Sequence, residues 1–278
     1  MGLEIFTDST SDLPKEITKN LGINVIPVMI NIGETSFKDR VDLTMNTFMQ
    51  RLRENNSPLL KTSAAALGDC IEMYKKHQGN LLSIHLGSAY SAMVATAKMA
   101  AEYVKNKITV YDSGVVSLGL GFMVIKAAKW AKENLSVEKI VDRLDDMKKR
   151  TRLLISLDSL DYAEKGGRIS PRIANIARLL KIKPILEIYN NQSIKIREKV
   201  ISRKKSLRRI VELVKSYTPL EAIGVMHSGV EKEALLVADQ ISHFYKGEIL
   251  IAEIGPAVCV HSGPGGVAVA LVSQKPTQ

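Results

Sequence analysis

The sequence predicts an α/β protein in two parts: an N-terminal three-layer α/β/α unit around a mainly parallel sheet, then a C-terminal α/β unit with a mixed sheet. Three observations predict it. Strand-like and helix-like segments alternate through the first half, as βαβ crossovers require. Past residue 151 the paired Asn190-Asn191 join two strand-like runs, and asparagine tolerates the positive φ of a hairpin turn. The length of 278 residues fits two domains at roughly 150 residues each. The domains are placed at 1–150 and 151–278.

Taken in order, Leu3 to Phe6 reads as a strand and Thr7 to Asp12 as a polar loop. Pro14 suits a first helical turn, and Gly22 ends that helix. Asn24 to Ile32 is a β-branched run interrupted by Pro27, which points to a sheet edge or a bulge. Thr44 caps a helix to about Arg53, and Ser63 caps one over Ala64 to Lys76. Leu81 to His85 and Lys107 to Tyr111 are strands. Helices follow Gly87-Ser88 and run over Leu118 to Glu133, and Ser136 opens another to Arg150. In the second part Leu153 to Leu157 is a strand, and a short helix from Ser159 stops at Gly166-Gly167. Ser170-Pro171 starts a further helix. Lys183 to Tyr189 and Ser193 to Lys199 form the hairpin. Helices Ser202 to Ser216 and Glu231 to Phe244 alternate with strands Ala222 to His227 and Glu248 to Ile254. Val267 to Ser273 is the last strand.

Composition narrows the function. The apolar fraction of 45% and charged fraction of 24% are globular values. Lys plus Arg number 39 against 29 Asp plus Glu, a net charge of +10. This balance admits nucleic acid, membrane or acidic small molecules as partners. The basic stretches, Lys148 to Arg152 and Arg203 to Arg209, lack interleaved aromatic residues, so no nucleic-acid partner is expected. At most a transient membrane contact is expected, because no apolar run reaches the ~18 residues of a spanning helix. Cys70 and Cys259 are too few for a disulfide framework. None of the five histidines stands at metal-ligand spacing from another ligand type, so no metal is assigned. A reducing, cytoplasmic location follows.

In open α/β sheets, ligands bind beyond the carboxyl ends of the strands. Four polar segments fall there: Thr7 to Asp12, Thr62-Ser63, Gly87 to Ser91, and Asp112-Ser113. Hydroxyls beside helix N-termini would hold a carboxylate or phosphate. Asp8, Asp12 and Asp112 offer an enzymatic alternative, a metal-dependent phosphohydrolase or phosphoryl-transfer site using an Asp/Ser cluster. No nucleophile elbow or phosphate cradle accompanies them, and no catalytic residue is assigned. Two local sequences of the second part are the most specific. Glu164 to Pro171 makes a tight turn that leaves Arg168 exposed. His261-Ser262-Gly263-Pro264-Gly265-Gly266 reads as a rigid loop in which His261 could donate to an anion.

Together these segments resemble the DegV family, in order and over almost the whole chain. They are Ile5 to Pro14, Thr62-Ser63, Ile84 to Ala97, Asp112-Ser113, Gly166 to Ser170, Ile182 to Leu186 and His261 to Gly265. The resemblance implies a two-domain bacterial fatty acid-binding protein rather than an enzyme. An apolar tunnel would take a chain such as palmitate, stearate or oleate, with no cofactor. Implied carboxylate ligands are Thr62, Ser63, Ser88, Ser91 and His261. Arg168 would dock a separate ATP-dependent fatty acid kinase subunit, which makes acyl phosphate for phospholipid synthesis. Met29, Met93, Met99 and Met123 could shape such a tunnel, but an ordinary place in the core is the favoured reading of each. The chain departs from the family's Ser-rich run: Gly87 stands where Ser is usual, and Ala92-Met93-Val94 replaces Gly-Thr-Tyr.

Overall fold

The computed structural model describes residues 2–54, 60–179, 182–192 and 194–275. The chain order is β1 (Glu4–Asp8), α1 (Lys15–Leu21), β2 (Ile23–Ile26), β3 (Met29–Ile32), β4 (Thr35–Lys38), α2 (Met45–Glu54), β5 (Leu60–Ser63) and α3 (Leu67–Lys75). It continues through β6 (Leu81–His85), α4 (Met93–Ala101), β7 (Ile108–Asp112), α5 (Leu118–Lys132) and α6 (Val137–Arg150). Then come β8 (Thr151–Ser156), α7 (Asp161–Lys165), α8 (Pro171–Leu179), β9 (Lys183–Ile188), β10 (Lys195–Val200) and α9 (Arg203–Ser216). The chain closes with β11 (Leu220–His227), α10 (Glu231–Ser242), β12 (Ile249–Glu253), α11 (Pro256–Ser262) and β13 (Val267–Ser273).

The strands form three sheets. A parallel sheet of order β2-β1-β6-β7 comes from the first half, and a mixed sheet of order β10-β9-β8-β13-β11-β12 from the second. Within the mixed sheet β11 and β12 run parallel, and the other pairs are antiparallel. The α/β class with a mainly parallel and a mixed sheet therefore holds.

The third sheet, β4-β3-β5, is antiparallel and departs from the sequence expectation. Pro27 explains part of it. Without an N–H it cannot continue a ladder, so the run Asn24 to Ile32 divides. β2 becomes an edge of the parallel sheet, and β3 becomes the centre of the small one. Ser63 is then not a helix cap: it pairs with Met29 at the end of β5, and α3 begins four residues later behind Ala66.

The hairpin expectation also needs adjustment. Asn190 and Asn191 do take positive φ, 44° and 56°. Yet the β9–β10 ladder begins at Glu187 with Lys195, so the connection is longer than two residues. Ser193, the expected start of the second strand, lies outside the described residues.

The mixed sheet is apolar on both faces. Leu154, Val225, Val267, Val269 and Leu271 pack with α9 and α10. Leu153, Ile155, Leu186, Ile188 and Ala268 face the other way, and the register stacks Leu153 on Ile188 and Ile155 on both Leu186 and Ala268. That second face turns towards the carboxyl ends of β1, β6 and β7, and the space between them holds the site.

Candidate functional site

A cavity lies there, lined by both halves of the chain. Its first wall is made by residues just beyond the parallel strands: Thr10 after β1, Leu86, Tyr90 and Ser91 after β6, and Val116 and Ser117 after β7. Its second wall is the apolar face of β8 and β9, with Ile194, Ile254 and Ala257 closing the ends. Branched aliphatic side chains dominate the lining. None of Met29, Met93, Met99 and Met123 is among the lining residues; Met93 and Met123 are fully buried core, and Met99 is half exposed.

Polar groups gather where β5, α7 and α11 meet. His261 Nε2 lies 2.7 Å from Thr62 Oγ1. Ser63, Ser91, Ser262 and Arg168 line the same cavity, and Ser63 is exposed, so this end opens to the surface. His261 is not in a loop. It sits in the last turn of α11, and the glycine-rich segment starts behind it at Gly263, which takes φ 71°. The sequence reading missed α11, although Pro256 at its first turn was the available signal.

Thr62, Ser63, Ser91 and His261 thus share one cavity. Ser88 does not line it: its backbone N–H donates to Asp112 Oδ1 at 3.2 Å, which turns the residue towards β7. Arg168 differs from expectation too. It is half-buried, because the turn after α7 folds against the loop after β6, and its Nη2 donates to Tyr90 O at 2.9 Å. Burial alone pulls its pKa down, and among the described residues no carboxylate pairs with it.

The electrostatics favour an anion at this end. Burial, with the Arg168 charge added, pushes His261 down to about 4. The imidazole is therefore neutral near pH 7. It can donate from Nε2 to Thr62 Oγ1, which frees the Thr62 hydroxyl to donate onward. A half-buried guanidinium supplies positive charge with no carboxylate counter-ion among the described residues.

The acidic cluster expected from Asp8, Asp12 and Asp112 does not assemble. Asp8 accepts from His85 Nδ1 at 3.0 Å, from Leu86 N and from Thr10, deep in the core. Asp12 binds Arg40 and Ser117. Asp112 takes N–H groups of Ser88, Gly114 and Asn191. Each carboxylate is satisfied separately, and no group of three metal-binding side chains occurs among the described residues. The phosphohydrolase alternative loses its site. No described helix is long and apolar enough to cross a membrane.

A buried polar junction seats α11, and with it His261. Asp12 Oδ1 accepts from Gly255 N at 2.8 Å, and Asp39 Oδ1 from Ala257 N at 3.2 Å. Asp39 Oδ2 is buried without a hydrogen bond. Burial pushes the Asp39 carboxyl up to about 6, with Ser9, Arg40 and the Ala257 N–H opposing and Asp12 adding to the rise. An acid raised in the folded state stabilises the fold below its ordinary range, and that stability is lost as pH climbs through the folded value. Thermal denaturation of the wild type and Asp39→Asn should therefore diverge between pH 4 and 6. The wild type should lose on the order of 3 kcal/mol relative to the variant over this interval. A constant difference across it would show that Asp39 ionises freely in the fold.

Comparison with known proteins identifies the family of this fold. The model of the DegV family, described as uncharacterised proteins, matches residues 2–274. Protein DegV of Bacillus subtilis is 32% identical over 280 residues, covering 97% of this chain and 98% of the relative. A solved structure of DegV from Bacillus subtilis, described as a fatty acid binding protein, superposes with a TM-score of 0.88 at 30% identity. It covers 99% of this chain and 100% of that one. A DegV family protein from Thermus thermophilus, described for its fatty acid binding, gives a TM-score of 0.89 at 26% identity, covering 98% of this chain and 100% of that one. With the family's match running from β1 to the end of β13, this chain belongs to the DegV family.

Proposed function

We propose that this protein binds a long-chain fatty acid such as palmitate, stearate or oleate. The acyl chain occupies the cavity between the parallel strands' carboxyl ends and the β8–β9 face. The carboxylate is held by Thr62, Ser63 and Ser91, with His261 acting through the Thr62 hydroxyl that it orients. The observation that carries this reading is one cavity with aliphatic walls and, at its open end, hydroxyls, a neutral imidazole and a guanidinium that no carboxylate among the described residues pairs. Each buried CH₂ contributes roughly 0.8 kcal/mol, so the walls supply most of the affinity. The head group needs hydrogen bonds, because an unsatisfied buried carboxylate costs several kcal/mol.

In this reading residues 1–150 and 151–278 are two domains with the ligand between them, and no cofactor takes part. The chemistry belongs to a separate ATP-dependent kinase subunit in the cytoplasm, which forms acyl phosphate for phospholipid synthesis. The exposed Ser63 beside the head-group site supports that presentation. Arg168, half-buried in the cavity lining, is the residue assigned to docking that subunit.

Protein purified from a bacterial host and extracted with organic solvent should release a fatty acid of about 16 to 18 carbons by mass spectrometry, at up to one equivalent per chain. Release of none, together with no binding of added palmitate or oleate, would falsify the assignment.

A further inference from the structure

The connection between β9 and β10 crosses from the second half of the chain onto the loop that carries Ser91. Asn191 is its principal contact. Its Nδ2 donates to Asp112 Oδ2 at 2.8 Å, and its backbone N–H donates to Gly114 O at 2.8 Å. Its Oδ1 faces Ala89 N at 3.4 Å. One residue on, Gln192 O accepts from Tyr90 Oη at 2.6 Å. Asp112 in turn accepts from Ser88 N. The Gly87–Ser91 loop is thus held from both sides by a side chain distant in sequence.

Gly87 makes this arrangement possible. A Cβ there would stand 2.5 Å from Asn191 Oδ1 and 2.9 Å from the Gly114 carbonyl carbon. No side chain at 87 could coexist with the Asn191 amide in its present place. The Asn191 amide thus occupies the space that a side chain at 87 would need, and links the two halves of the chain there. Asn191 itself stands at φ 56°, which asparagine tolerates better than most residues.

We propose that Asn191 is a positioning residue for the head-group site: its amide plugs the space above Gly87 and fixes the loop that presents Ser91 to the ligand carboxylate. This rests on the fatty-acid reading. Ile188 and Ile194, on either side of the same connection, line the acyl cavity, so the plug also ties that wall to the head-group loop.

Asn191→Gly removes the amide and keeps the backbone conformation accessible. Dissociation of bound oleate, followed by transfer to excess acceptor vesicles, should accelerate roughly tenfold, the scale of one or two lost hydrogen bonds. The amide resonances of Ala89 to Ser91 should shift in the ligand-free variant, while its Tm stays within a few degrees of wild type. Asn190→Gly, the same kind of turn position without these side-chain contacts, should leave the dissociation rate unchanged. Equal acceleration in both variants would assign the effect to a looser turn and overturn the positioning role. So would wild-type kinetics in Asn191→Gly. A wild type that binds no oleate would instead defeat the fatty-acid reading, and this inference with it.

Discussion

Alanine in place of Gly166 should weaken fatty acid binding by about 10- to 100-fold, the effect of leaving one or two buried polar groups unpaired. Gly166 ends α7 at φ −76° and ψ −4°, an ordinary right-handed conformation. The backbone therefore accepts alanine without strain. The obstacle is the neighbour: a Cβ would stand 2.1 Å from His261 Nδ1 and 2.9 Å from Cε1. The imidazole must leave its place, and the 2.7 Å contact with Thr62 goes with it. Glycine at 166 is thus required by a side chain of α11, on a different element. Isothermal titration with oleate measures the loss. On a His261→Ala background the same Gly166→Ala change should add little, because the two act through one contact. Additive losses would mean that Gly166 acts elsewhere, and wild-type affinity in Gly166→Ala would remove His261 from the head-group site.

The fold was legible where local rules act alone. Gly22 ends α1, Ser136 and Ser202 cap α6 and α9, and Pro171 opens α8, each through a cap or a fixed φ that the residue itself dictates. The sheet β4-β3-β5 was not legible, since a short polar strand such as Thr35–Lys38 owes its pairing to neighbours rather than to its own pattern. For the same reason Ser63 read as a cap: the cap-forming residue types are also tolerated at strand ends. At the site, Thr62, Ser91 and His261 came from their place in a family pattern, and the structure brings them into one cavity. Ser88 lies outside the cavity lining, and its backbone N–H, invisible to residue type, donates to Asp112. Arg168 was read as exposed because its acceptor is the carbonyl of Tyr90, 78 residues away, and no sequence spacing encodes such a contact. The partners of Arg40 were hidden in the same way.

Arg40→Met should be the most destabilising change at the junction between the two halves, by about 3–5 kcal/mol, the usual consequence of stranding a buried charge. Arg40 Nη2 donates to Asp12 Oδ1 at 2.7 Å and to Glu253 O at 2.9 Å, so one guanidinium joins β1's following turn to the end of β12. Asp12 is 1% exposed. Burial raises its pKa, and Arg40 is the first of the groups that oppose the rise. Methionine keeps the aliphatic stem and the same φ of 60°, so backbone strain is equal in the two proteins and cancels from the comparison. Without the guanidinium, the Asp12 carboxyl rises further. The deficit should therefore be largest at neutral pH and shrink as the solution approaches the ordinary carboxylate range, where Asp12 is neutral in both folded and unfolded chains. Adding Asp12→Asn should recover much of the loss, since an amide in that place carries no charge to strand and keeps an oxygen for the Gly255 N–H. Chemical denaturation at several pH values reads all three results. A deficit independent of pH would mean that Arg40 acts through packing alone, and a double variant no better than Arg40→Met would place its role at the Glu253 carbonyl rather than at Asp12.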